Sequence, residues 1–299
     1  MANYSHIRLP YFAPAPVQLP TYEEIMTQEN QEAFESTSLK LERHVVKFGD
    51  HFVVKYGKKV NLIEGKNMLI IHKYTKIPIP KLYAMYQHEP SGNKVIIMEF
   101  VPGPLLHKCY SSLDDKQKAS VGAQLRRHLS DMRKIPSPGI YGLPGCRPYL
   151  AHPCILKRRA GPFKTPAEFF EAYWRAQFPE AGELRHPRIN ELTLQFLELS
   201  KGHEKAVFTH GDLHGRNIVM REDGSIYILD WESASFLPEY FEFLVYETYK
   251  ITSAGASGSD GDKDDILEYA KMVQVLTQLW NTYKYLTERQ AMSKEGPHM

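Results

Sequence analysis

Residues 208 to 233 read FTHGDLHGRNIVMREDGSIYILDWES, and three side chains in this stretch have types and spacing that suit one chemistry. Asp212 stands on a polar loop, Asn217 follows five positions later, and Asp230 ends the apolar strand beyond. "IVMREDGSIYILD" reads as two apolar strands around Asp223-Gly224. An Asp-Gly pair suits a two-residue type I′ loop, because both central residues take positive φ. Such a loop sets Glu222 opposite Ser225, Ile218 opposite Leu229 and Asn217 opposite Asp230. An amide oxygen and a carboxylate then sit side by side at the open end of the hairpin. Oxygen ligands of this kind suit Mg²⁺, which takes one or two protein oxygens and completes its shell with phosphates and water. Asp212, on the loop leading in, can point at the same spot as a proton acceptor. A base, an amide ligand and a carboxylate ligand around one point are what phosphoryl transfer requires, since positioning and charge neutralisation do most of that work.

Each residue alone has a plainer reading. Asp212 and Asn217 could be loop caps and Asp230 the end of a strand; their joint placement by a hairpin is what favours a site. His210 and His214 spell a His-x-Asp-x-His pattern that could hold a metal. The preferred reading makes His210 a hydrogen-bonding brace of the loop and His214 a neutral or phosphate-facing group.

The elements that must position these residues follow from periodicity. Residues 1 to about 20, with prolines at 10, 14, 16 and 20, predict an extended, weakly ordered arm. "LKLERHVVKFG" and "HFVVKYG" predict a strand pair turning at Gly49-Asp50. A helix is expected from about Leu62 to Lys73, with Asn61 as N-cap and Glu64 completing a capping box. "IPIPKLYAMYQH" and "KVIIMEF" read as further strands, and Val101-Pro102-Gly103 as a boundary. Beyond it helices are expected at 112–135, 166–178, 188–200, 238–252 and 264–287, with a mobile small-residue loop at 253–265. The expected fold is therefore α+β and bilobal: a β-rich N-terminal lobe over 1–100 and a mainly helical C-terminal lobe over 101–299 that carries the loop and metal site.

Bulk composition excludes several classes. The 299 residues carry a net charge of +2, too small a basic footprint for a nucleic-acid binder. No apolar run approaches the ~20 residues of a membrane span. The three cysteines, Cys109, Cys146 and Cys154, show no CxxC spacing and read as free thiols of a reducing compartment, so a cytoplasmic protein is expected.

"HGDLHGRNIV" with "ILDWE" resembles the aminoglycoside phosphotransferase and choline kinase group, which shares the bilobal protein-kinase-like fold. "VVKYG", "IIMEFVPG" and "LRRHLSDMRKIPSPGIYG" are similar to fungal members of that group, and the likeness runs from about residue 40 to 250. The resemblance implies Asp212 as catalytic base, Asn217 and Asp230 as Mg²⁺ ligands, and ATP as phosphoryl donor. It also implies that Lys55 pairs the α/β-phosphates and that Glu64 is its partner. Glu99 and Val101 resemble the hinge that clamps adenine through a carbonyl and an amide. The bland alternatives are a surface lysine, a capping glutamate and a core strand.

Two departures matter. No G-x-G-x-x-G precedes Lys55, so the phosphate-covering loop is expected before residue 40, around "ESTSLK", or reduced. Only seven residues separate Asp230 from Pro238, which leaves no platform for a protein substrate and favours a small-molecule hydroxyl acceptor. The expected activity is a Mg-ATP-dependent phosphotransferase. The alternatives are a catalytically inactive binding module on the same fold, and a metallophosphoesterase, whose further metal-ligand segments this sequence lacks. Aromatics at 240, 241, 243, 246 and 249, with Glu239, Glu242 and Glu247, could line a cationic pocket or form ordinary core.

Overall fold

The computed structural model of the chain describes residues 7–27, 31–33, 42–150, 159–177 and 187–242. Strands β1 (Tyr11–Phe12), β2 (Gln31–Ala33), β3 (His44–Phe48), β4 (Phe52–Gly57), β5 (Leu82–His88) and β6 (Asn93–Glu99) form a six-stranded antiparallel sheet in the order β1-β5-β6-β4-β3-β2. Alternation on β4 decides which face does what. Phe52, Val54 and Tyr56 are buried in one core with Val46, Ala84, Val95 and Ile97. Lys55, between them in sequence, points to the opposite face.

Helix α1 (Tyr22–Thr27) closes the first face with Ile25, and the arm before it packs Ala15 and Leu19 on the same core. The arm was expected to be weakly ordered. Instead β1 pairs Tyr11 with Met85 and Phe12 with Ala84, and Ala13 N–H donates to the Tyr83 carbonyl at 2.8 Å. Prolines are tolerated here because an edge strand needs only half of its backbone groups paired.

Helix α2 (Ile63–Tyr74) covers the other face. A Cβ at Gly65 would meet Met85 Sδ at 2.8 Å and Leu82 Cδ2 at 3.3 Å, so only glycine lets α2 lie this close to β5. That close approach brings Glu64 down onto the sheet beside Lys55. The expected N-cap is off by one residue. Leu62 is the cap, while Asn61 Oδ1 accepts from Ile63 N–H at 3.1 Å in an Asx-type turn. Glu64 therefore does not close a capping box.

Past β6 come α3 (Leu106–Cys109), a 3₁₀ turn and α4 (Asp115–Arg133). The helix expected from residue 112 starts later because Asp114 caps it: Asp114 accepts from Gln117 N–H at 2.8 Å and Gln117 returns the bond at 3.0 Å. Helices α5 (Pro166–Gln177) and α6 (Pro187–Leu199) lie where their periodicity predicts. Next come β7 (Ala206–Thr209), the hairpin strands β8 (Ile218–Met220) and β9 (Ile226–Ile228), and β10 (Ser235–Pro238).

Compactness divides the chain into two units, 1–136 with 212–234 and 137–211 with 235–299. This cut differs in kind from the expected boundary at 101–103, which separates strands from helices. It keeps α3, α4 and the hairpin with the large sheet. Within the second unit β7 and β10 pair antiparallel, Phe208 opposite Phe236. The helix expected from 238 begins instead at 241, after β10 ends at Pro238 and a turn follows, and its remainder past 242, with the 253–265 loop and the 264–287 helix, lies outside the described residues. Tyr240 and Phe241 are buried in this unit's aromatic core, against Phe196 and Phe169. They fill that core, and the aromatics at 243, 246 and 249 lie outside the described residues. Among the described residues no helix is long and apolar enough to cross a membrane.

Candidate active site

Lys55 Nζ lies 2.7 Å from Glu64 Oε1 and 3.0 Å from Asp230 Oδ1, so strand, helix and hairpin end meet at one ammonium. Burial alone would lower the Lys55 pKa, but Asp230 and Glu64, with Glu232 behind them, outweigh it and hold the ammonium charged. Glu64 is 2% exposed, and burial raises its pKa. Lys55 pulls it down, while Asp230 and Glu232 push it further up. Three carboxylates face the Lys55 ammonium and the Arg43 guanidinium, which holds Glu232, and the remaining negative charge makes the cluster receptive to further positive charge.

Asp212 and Asn217 form the second half of the site. The Asn217 side-chain NH₂ donates to the Asp212 backbone carbonyl at 2.9 Å and to Asp212 Oδ2 at 3.2 Å. With its nitrogen turned to Asp212, the amide presents its oxygen elsewhere. A 3₁₀ turn over Gly215–Asn217, closed by Asn217 N–H on the His214 carbonyl at 2.8 Å, sets this orientation. His214 Nδ1 accepts from Arg216 N–H at 3.2 Å, which puts the ring proton on Nε2, 3.5 Å from Asp212 Oδ1. Burial lowers the His214 pKa against the pull of Asp212 and Asp230, so the ring is neutral at physiological pH. Because His214 feels both acids, Asp212 and Asp230 share one electrostatic neighbourhood. His210 is fully buried, and its N–H donates to Glu242 Oε2 at 2.7 Å, which anchors the start of the loop.

The hairpin between these halves differs from expectation by one residue. Ile218 pairs with Ile228, not Leu229, and Leu229 N–H donates to the Asn217 carbonyl at 2.8 Å. Asn217 therefore faces Leu229, and Asp230 lies one position beyond. The loop has three residues, Glu222 to Gly224: Gly224 N–H donates to the Arg221 carbonyl and Arg221 N–H to the Ser225 carbonyl, both at 2.9 Å. Gly224 takes φ +79° as the left-handed bulge residue of a type I turn. Asp223 accepts from Ser225 N–H and hydroxyl, and Gln124 of α4 clamps the end of the loop to the start of β9, donating to the Gly224 carbonyl at 2.9 Å and accepting from Ile226 N–H at 3.2 Å.

A slipped register would send Asp230 to the wrong face if the strand continued. It does not continue. Asp230 adopts φ 60°, ψ 67°, a left-handed conformation uncommon for a non-glycine residue, and its carboxylate meets Lys55. The cross-strand pairing expected for Asn217 and Asp230 is therefore not formed, and Asp230 is placed by its own left-handed backbone and its ion pair with Lys55.

The Asp230 carboxylate and the Asn217 amide each offer oxygen donors, a chemistry that fits Mg²⁺. Among the described residues, the acids and histidines close enough to share an ion are Glu64, Asp230 and Glu232, within 4.8 Å of one another. Neither histidine of the His-x-Asp-x-His pattern belongs to that group. Glu232 escaped the sequence reading; the only signal was an acid two positions after Asp230, a spacing too common to be informative.

At the expected hinge, Glu99 N–H donates to the Lys81 carbonyl at 2.9 Å and Phe100 N–H to the His51 carbonyl at 2.8 Å. Among the described residues the Val101 N–H meets no protein acceptor. The segment "ESTSLK", expected to cover phosphates, lies outside the described residues.

The phosphotransferase enzyme family matches residues 62–255. No curated protein matches the chain. A thermostable mutant of aminoglycoside phosphotransferase APH(4)-Ia, in ternary complex with AMP-PNP and hygromycin B, superposes with a TM-score of 0.54 at 12% identity, covering 90% of this chain and 92% of that one. The GDP complex of a point mutant of the aminoglycoside 2′-phosphotransferase-IIIa gives 0.53 at 16%, covering 91% and 92%. The GDP and kanamycin complex of APH(2″)-IIia gives 0.52 at 14%, covering 91% and 92%. At these identities the likeness is one of fold, α+β and protein-kinase-like.

Proposed function

We infer that this chain, which belongs to the phosphotransferase enzyme family, transfers the terminal phosphoryl group of ATP to a hydroxyl of a small molecule. The observation that carries the reading is the Lys55 ammonium held between Glu64 and Asp230 at 2.7 and 3.0 Å. A charged lysine pinned by a buried glutamate is a fixed anion receptor, suited to the α/β-phosphates. Asp230 and Asn217 would hold Mg²⁺, which neutralises charge on the transferring phosphoryl group when bound.

Asp212 accepts the proton of the acceptor hydroxyl as the new O–P bond forms and the bond to the ADP oxygen breaks. The neutral His214 beside it leaves the negative charge of Asp212 intact for that task. Val101 N–H and the Glu99 carbonyl are the backbone groups proposed to hold the adenine edge.

A small acceptor is supported by the chain after Asp230. A single 3₁₀ turn, Trp231–Ser233, leads directly to β10, with no long segment on which a peptide could lie. The solved relatives above include complexes with hygromycin B or kanamycin, and with an ATP analogue or GDP. A panel of hydroxylated amines, sugars and amino alcohols, offered with ATP or GTP and Mg²⁺ and followed by phosphorus NMR, tests the reading. One phosphate ester formed per nucleoside diphosphate supports it. Nucleotide binding without turnover across the panel supports the inactive module instead.

A further inference from the structure

Arg43, one residue ahead of β3, donates from Nη1 to Glu232 Oε1 at 2.8 Å, and its Nε is buried with no partner. Glu232 sits in the turn that follows Asp230, and that turn is fastened without Arg43. Trp231 is fully buried and donates from Nε1 to the Ile228 carbonyl at 3.0 Å. Asn67 of α2 donates to the Trp231 and Ala234 carbonyls at 2.7 and 2.9 Å. Arg43 therefore leaves the backbone to these contacts. What it holds is the Glu232 carboxylate.

That carboxylate matters because of its company. Oxygens of Glu64, Asp230 and Glu232 lie within 4.8 Å of one another. Lys55 bonds Glu64 and Asp230, and Arg43 takes Glu232. Three clustered carboxylates with a single ammonium would form a set of hard oxygen donors able to collect a divalent cation unaided. A cation drawn toward Glu64 and Glu232 would be held away from Asn217, to which the proposed function assigns it together with Asp230.

We propose that Arg43 is a positioning residue for the metal: by engaging Glu232 it keeps the three acids from gathering a divalent cation alone, so that the cation arrives with the nucleotide phosphates on Asp230 and Asn217. The proposal rests on the phosphotransferase reading, in which those two residues hold the metal. A merely structural ion pair between Arg43 and Glu232 would alter melting temperature and leave metal affinity alone.

The test uses the full chain and Mn²⁺ as probe, titrated without nucleotide, beside Mg-ATP binding. Arg43→Gln, and Arg43→Met as a second form, should bind Mn²⁺ at least about tenfold tighter than wild type and Mg-ATP more weakly. Adding Glu232→Gln to either should return both values toward wild type, and Arg43→Lys should keep Mn²⁺ binding weak. The proposal is overturned if nucleotide-free Mn²⁺ affinity is the same in wild type and in the Arg43 variants. It is equally overturned if the double variant stays tight, or if neither Arg43→Gln nor Arg43→Met folds, since the pair would then be structural. Failure of the phosphotransferase reading looks different: wild type would bind no Mg-ATP, whatever Mn²⁺ does.

Discussion

Lys55 on β4 and Asp230 beyond β9 are joined by a 3.0 Å ion pair across 175 residues of chain. Without nucleotide, the ammonium is the counter-ion of the carboxylate that we assign to the metal. Under the proposed function, nucleotide would exchange these partners, giving Lys55 phosphate oxygens and Asp230 the cation. Until then the pair fixes the Asp230 carboxylate, and Glu64 holds the ammonium from its other side.

Asp212→Ala should lower kcat by ~10²–10⁴ and leave Mg-nucleotide binding nearly intact. The Asn217 NH₂ also donates to the Asp212 backbone carbonyl at 2.9 Å, which the substitution preserves, so the metal ligand stays oriented. Turnover near that of wild type would remove Asp212 from the mechanism.

The raised Glu64 pKa predicts a pH dependence. Its proton affinity in the folded state is pushed up to about 7, from an ordinary 4.5, by burial and by Asp230 and Glu232 against the pull of Lys55. The folded state then retains a proton that the unfolded chain gives up, so this group makes the nucleotide-free protein less stable as pH rises from about 4.5 to about 7. Melting temperatures over that range should fall more steeply in wild type than in Glu64→Gln. Parallel curves would show that Glu64 keeps an ordinary pKa.

Gln124→Ala tests the hairpin register. It strips partners from the Gly224 carbonyl and the Ile226 N–H, and should destabilise the protein by about 1–2 kcal/mol. Hydrogen exchange should accelerate at Ile226 more than at Val54 in the sheet core. Unchanged protection at Ile226 would mean that the loop holds its register without Gln124.

How much of this was legible in the sequence depends on how local each cause is. The pairing of Lys55 with Glu64 was legible only through the resemblance to the family, whereas the strand "HFVVKYG" and the helix after it were legible because both patterns act over a few residues. The Asp212–Asn217 spacing was readable for the same reason, since one 3₁₀ turn connects them. The hairpin register was not. Asp223-Gly224 suits a two-residue loop and a three-residue loop with a bulge, and the choice is reinforced by Gln124, 100 residues away. Asp tolerates the left-handed region better than most residues, but most aspartates do not adopt it, so residue type alone did not announce the backbone at Asp230. The Arg43–Glu232 pair spans 189 residues and joins two side chains that separately look like solvated surface. Likewise β10 takes its strand form from pairing with β7, which delays the helix expected from 238 to 241.

The most direct test of the account is the affinity for ATP, measured by calorimetry in Mg²⁺ and in EDTA for wild type and Asp230→Ala. If Asp230 acts through the ion, wild type binds more tightly in Mg²⁺ than in EDTA, and the substitution removes most of that difference while changing the EDTA value little. Loss of the Lys55–Asp230 pair alone would weaken or strengthen binding equally in both buffers. Equal changes in Mg²⁺ and EDTA, or no ATP binding by wild type, would contradict the assignment of this corner as a metal-nucleotide site.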